Sequence, residues 1–113
     1  MDGQKSLVEP TVDECLFDVV DDGKHCTLRV DGVLDAVTAP ALLPTVERLL
    51  AGEVEEIDVD VSQLELIDSS GVAVIVALLR CMRARGRRAR VIGMRGQPRS
   101  LFELVLPMLG DRS

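Results

Sequence analysis

A chain of 113 residues is long enough for one domain with a single ordinary core. Hydrophobic residues make up 47% of it, yet Phe17 and Phe102 are the only aromatics, so Leu, Val, Ile and Ala must fill that core. A net charge of −6 opposes nucleic acid, and a sequence with neither a membrane-length apolar run nor a basic-then-apolar leader reads as a cytoplasmic protein without membrane insertion.

Taken in chain order, residues 1–12 lack periodicity and read as a loose lead-in to a single domain. Phe17–Val20 and Cys26–Val30 read as two strands joined by an Asp22-Gly23 hairpin turn. Gly32 and Asp35 mark a further turn. Thr38 is placed to cap a helix that runs to Ala51 and is closed by Gly52, with Leu42, Val46, Leu49 and Leu50 as its buried stripe. Pro44 cannot donate to the Pro40 carbonyl, so that helix either bends there or becomes regular near Leu43. Ile57, Val59 and Val61 alternate with Asp58 and Asp60, as in a strand with one wet side. A helix follows from about Ser70 to Arg85, then a short strand over Ala89–Gly93, then a helix over Ser100–Leu106 that Pro107 ends. The order β-β-α-β-α-β-α predicts an α/β domain: a mixed sheet of four strands, or five, with helices mainly on one face.

Charge is divided unevenly along the chain. Seventeen of the nineteen acids lie in residues 1–68, and eight of the thirteen bases between Arg80 and Arg99. That basic stretch has no aromatics for stacking and carries a periodic apolar pattern. It reads as a solvated helix end and loop paired with the acidic half, and no nucleic-acid partner is expected. Cys15, Cys26 and Cys81 are odd in number and lack CxxC spacing, which fits free buried thiols.

No reaction centre assembles from these residues. The sole histidine, His25, adjoins the hairpin turn rather than a serine, and no glycine-rich phosphate cradle is present. Asp58, Asp60 and Asp68 are more simply solvated than metal-ligating. The chain reads as a binding protein that is not an enzyme and needs no cofactor or metal.

Residues 64–79, LELIDSSGVAVIVALL, carry the strongest local signal. An apolar strand exit runs into Asp68-Ser69-Ser70-Gly71 and straight into a helix that is apolar nearly all round. Ser69 or Ser70 stands where an N-cap belongs, and Gly71 is read as opening the surface beside it. A phosphate there would sit at the positive end of the helix dipole. The same four residues are also compatible with a plain well-capped loop.

VDGVLDAVTAP (30–40), IDVDVSQLELIDSSGVAVIV (57–76) and LFEL (101–104) together resemble the STAS domain, and more narrowly the bacterial anti-sigma factor antagonists. The resemblance covers about residues 12–106. It implies a partner-switching regulator of transcription. The unphosphorylated antagonist would bind an anti-sigma factor that is a GHKL-type serine kinase, phosphorylation at Ser69 would release it, and a PP2C-type phosphatase would reset the cycle. By match of position, Asp68, Ser70 and Gly71 would shape the docking loop and Asp35 the loop beside it. The family's further strand after the LFEL-type helix is not found beyond residue 106, so the sheet is expected to be one strand short, or its edge to be covered by residues 1–13 or by a second copy in a homodimer. A STAS adaptor subunit of a lipid-transport ABC system is the alternative.

Helical geometry locates a surface for the partner. At 100° per residue, Val74, Ile75, Leu78, Leu79, Cys81 and Met82 gather on the side packed against the sheet. The opposite side begins with Val72, Ala73, Val76 and Ala77, so Val72 and Val76 are read as partner-binding, unless residues 1–13 cover them.

Overall fold

A computed structural model describes residues 15–109; the lead-in over 1–12 and the end of the chain lie outside the described residues. Strand β1 (Cys15–Asp21) and strand β2 (His25–Leu34) form the antiparallel hairpin. Its turn is held by side chains: Asp21 accepts the Gly23 N–H at 2.7 Å and Asp22 that of His25 at 3.0 Å. Gly23 has φ of 103°, a left-handed conformation suited to glycine.

β2 is far longer than the five residues read from its alternation, because Gly32 does not end it. With φ of 91°, Gly32 sits at an irregularity where the register toward a later strand shifts, while β1 still pairs with it at Cys15. A bulge of this kind bends the strand without terminating it. The turn expected at Gly32 is therefore a kink inside β2.

Helix α1 (Ala39–Ala51) follows, burying Leu42, Val46 and Leu49 and only part of Leu50. Thr38 does not cap it with its side chain. Its hydroxyl donates instead to the Val33 carbonyl at 2.8 Å, and Asp35 accepts the N–H groups of Val37 and Thr38 at 3.0 and 3.1 Å. The helix is already formed at Ala39 and runs through Pro44, whose missing donor falls on the exposed side.

Strand β3 (Glu56–Asp60) pairs in parallel with the first half of β2, and strand β4 (Leu64–Ile67) with its last three residues. Since β1 occupies the other side of β2, β3 and β4 lie along one side as two steps of an interrupted strand. The fifth strand of the sheet is thus the apolar exit before Asp68. Strand β5 (Arg88–Ile92) pairs in parallel with β3, giving the order β1-β2-β3-β5. Helix α2 (Ser69–Ala84) precedes β5, and helix α3 (Gly96–Val105) follows it. α3 starts four residues before the expected Ser100, with Pro98 in its first turn. Pro107 does not stop the chain from coiling, since a 3-10 turn covers Leu106–Leu109.

The core lies between the sheet and the helices. Leu28, Val30, Ile57 and Val59 of the sheet, Leu78, Leu79 and Met82 of α2, and Phe102 of α3 are completely buried. Cys15 and Cys26 are buried free thiols, but Cys81 is exposed. Val74 marks the edge of the packed arc, and at ~100° per residue Cys81 falls about 20° beyond it.

On the other face of the sheet the alternation places Thr27, Arg29, Asp58, Asp60 and Arg90. Asp58 is not the water-facing residue its spacing suggested, being only 7% exposed. Arg90 Nε donates to it at 2.9 Å and His25 Nε2 lies 3.0 Å from its other oxygen, so the histidine beside the hairpin turn is not a bare surface residue. The hydrogen bond from Arg90 holds the Asp58 carboxyl below its ordinary range, with His25 assisting against the cost of burial.

Candidate functional site

Two loops meet at the carboxyl ends of β2 and β4, where ligands gather in sheets of this kind. One carries Asp35 and the other Asp68-Ser69-Ser70-Gly71. Asp68 joins them. Its Oδ1 accepts the N–H groups of Ser70 and Gly71 at 2.8 and 3.1 Å, and its Oδ2 accepts that of Ala36 at 3.3 Å. Its own N–H donates to the Leu34 carbonyl at 3.1 Å. Asp68, not a serine, is therefore the N-cap of α2. A carboxylate accepts these bonds more strongly than a hydroxyl and adds a favourable charge at the helix N-terminus.

This correction changes the status of the serines. Ser69 is the first helical residue, exposed, and its hydroxyl makes no hydrogen bond with the described residues. Ser70 is half-buried. Gly71 is buried and does not open the surface. A Cβ there would lie 2.6 Å from the Leu34 carbonyl oxygen and 2.8 Å from Ile67 Cγ1, so the glycine lets α2 begin directly against β2 and β4.

Asp35 accepts two backbone N–H groups. The N–H group of Thr38 above all, and that of Val37, hold its carboxyl below its ordinary range, with the Thr38 hydroxyl 3.2 Å away. The neighbouring Cys15 thiol is pushed up to about 12 by burial and by the charges of Asp31 and Asp35. It is accordingly not a nucleophile.

Beside Ser69 runs an apolar groove of about 290 Å³. Val72 and Val76 of α2 form one wall, and Leu101, Val105 and Met108 the other. The sequence reading placed Val72 and Val76 together on an outer face, and the structure separates them. Val72 is 7% exposed and belongs to the core, whereas Val76 is half-buried and Ala73 and Ala77 lie in the open. It is α3, near the end of the chain, that shares this face of α2. The second wall went unread although Leu101 and Val105 stand four apart, because a short terminal helix gives no sign of where it docks.

Gln97 was also missed. The Ile67 N–H donates to its side-chain oxygen and its amide donates back to the Ile67 carbonyl, both at 2.9 Å. One side chain thus replaces a missing strand beside β4, just before Asp68. A lone glutamine in the first turn of a helix gives no signal of that role. Among the described residues no cluster of His, Cys, Asp or Glu could hold a metal ion, and no helix is long and apolar enough to cross a membrane.

Solved structures share this architecture. Phosphorylated SpoIIAA, a Bacillus cell fate determinant, is similar with a TM-score of 0.69 at 22% identity, over 84% of this chain and 86% of that one. SpoIIAA as an anti-sigma factor antagonist in its unphosphorylated form gives 0.70 at 22% identity, over 84% and 83%. An anti-sigma factor antagonist from Mycobacterium paratuberculosis gives 0.71 at 23% identity, over 86% and 82%. At these identities the likeness establishes a common fold. No curated protein matches the chain by sequence. Residues 17–105, from within β1 to the last residue of α3, match the family described as "Mlab, STAS domain"; the chain belongs to the STAS domain family.

Proposed function

We propose that this STAS domain is an anti-sigma factor antagonist that switches partners through phosphorylation of Ser69. The observation that carries the reading is the division of labour at the start of α2. Asp68 supplies the cap, so Ser69 is left exposed with an uncommitted hydroxyl at the mouth of an apolar groove. A phosphate on Ser69 would add about −1.5 to −2 charges without removing any hydrogen bond that holds the helix. Set beside Asp68, it would repel an acidic partner surface and block the groove by bulk. Ser70 suits the role less well because its side chain is half-buried and its N–H is already held by Asp68. SpoIIAA, which shares the fold, exists in phosphorylated and unphosphorylated forms.

In this reading the unphosphorylated chain binds a GHKL-type anti-sigma factor kinase in the cytoplasm. Asp35, Asp68, Ser70 and Gly71 shape the loop, and Val72 and Val76 contribute to the groove. A PP2C-type phosphatase restores the binding form. Incubation with the cognate kinase and ATP, followed by phosphopeptide mapping, tests it. Label on Ser69 is the expected result, and label confined to Ser70, or on neither serine, sinks it. Ser69→Ala should hold the kinase persistently, while Ser69→Asp should bind poorly yet melt close to wild type.

The adaptor subunit of a lipid-transport ABC system has the same kind of domain, so neither fold nor family separates the two readings. Ser69 does. An adaptor would keep its partner whether the position is Ala or Asp, and co-purification of each variant with its partner distinguishes them.

A further inference from the structure

At the amino-terminal ends of β3 and β5, remote from Ser69, the surface holds a pocket of about 480 Å³ lined by Arg83, Arg87, Arg88 and Arg90, with Glu56 as its one carboxylate. We propose that this pocket binds a small, soluble phosphate-bearing anion. Four guanidinium groups around one concavity repel each other, and a chain of net charge −6 places them together against its own average.

Two of the arginines donate to backbone carbonyls. Arg83 Nη2 donates to the Ala89 carbonyl at 3.2 Å, and Arg87 Nη1 to the Gly52 carbonyl at 3.0 Å. These bonds fix the Arg87 fork without neutralising it, and Arg87 has no carboxylate partner among the described residues. The rim pair does meet carboxylates. Arg88 lies 3.6 Å from Glu56, a long contact, with its side chain 83% exposed. Arg90 donates its Nε to Asp58, and its terminal nitrogens make no hydrogen bond with the described residues. The site therefore offers several planar donor forks with part of their positions already set. This is the arrangement that recognises phosphate oxygens in pairs. A pocket of this size admits a group the size of a di- or triphosphate.

Titration of the full chain with sodium tripolyphosphate at constant ionic strength tests the proposal, read by calorimetry and by melting temperature. Saturable one-to-one binding with a raised melting temperature is expected. Arg87→Gln and Arg88→Gln should each weaken it by about tenfold or more. Arg88 is so exposed that its loss cannot be mistaken for unfolding. Arg99→Gln, the same charge change on α3, should leave the affinity unaltered. Three results would overturn the proposal: no saturable binding, binding untouched by both pocket substitutions, or equal weakening by Arg99→Gln. Binding to phosphatidic acid vesicles without binding to tripolyphosphate would likewise overturn it, in favour of a lipid surface. If nothing binds, the arginines serve instead to guard the β5 edge against pairing with another chain.

Discussion

The two ends of α2 lie about 24 Å apart along one helix and are built on opposite plans. At the amino end, carboxylates do the structural work: Asp35 and Asp68 accept the backbone N–H groups of two loops, and a serine and an apolar groove are left open. At the carboxyl end the cations do it: Arg85 and Arg87 donate to the carbonyls of Leu50 and Gly52, and Arg83 to that of Ala89. Each end takes the charge that its unpaired backbone groups favour. The difference teaches where change is tolerated. At the amino end the structural task has passed to Asp68, which leaves its neighbour free for modification. At the carboxyl end two of the arginines that hold the structure, Arg83 and Arg87, also line the pocket.

The comparison breaks most severely at Gly71. Gly71→Ala forces a methyl group against the Leu34 carbonyl and the side chains of Leu34 and Ile67, and should cost about 3 kcal/mol. Urea unfolding measures it, and a loss below about 1 kcal/mol would mean the helix start can shift.

Next comes the pair that burial separates. Val72→Glu buries a charge and should cost several kcal/mol in thermal melts. Val76→Glu, half-buried at the groove, should lower the melting temperature much less while abolishing kinase capture in a pull-down. Equal destabilisation of both variants would make the groove part of the core rather than a docking surface.

A smaller effect is expected at the cap. Asp68→Ala removes the acceptor for Ser70, Gly71 and Ala36 and should cost about 1–2 kcal/mol. If instead the serines can cap the helix, Asp68→Ala will be nearly neutral and Ser69 will not be free.

The mildest prediction concerns acid. Asp35 and Asp58 both have carboxyls lowered in the folded state, so their stabilisation is complete above the ordinary carboxylate value near 4 and is lost as pH falls through their lowered values. Arg90→Gln removes the main cause at Asp58 and should make the decline in melting temperature below pH 4 shallower, after a lower starting point at pH 7. An unchanged acid limb would show that Asp58 draws its shift from elsewhere.

Much of this architecture was legible in the chain itself. Alternation at Ile57 and Val59, the helical stripe of Leu42, Val46 and Leu49, and the Asp22-Gly23 turn are local signals, because a strand or helix exposes its periodicity residue by residue. The order of elements then implied an antiparallel hairpin followed by right-handed parallel crossovers, whereas the strand exit before the apolar helix marked Ser69 and Ser70 alike. Tertiary structure decided what depends on distant partners. Gly32 reads as a turn until β1 and β4 hold it in a bulged strand. Asp58 reads as wet until Arg90, 32 residues on, closes over it. Asp68 caps α2 through the Ser70 and Gly71 N–H groups on one oxygen while its other oxygen takes the Ala36 N–H from a distant loop, and the groove exists only because α3 packs beside α2. Local sequence sets periodicity and turn chemistry; which hydrogen-bonding group wins a contested position depends on what the fold brings within 3 Å of it.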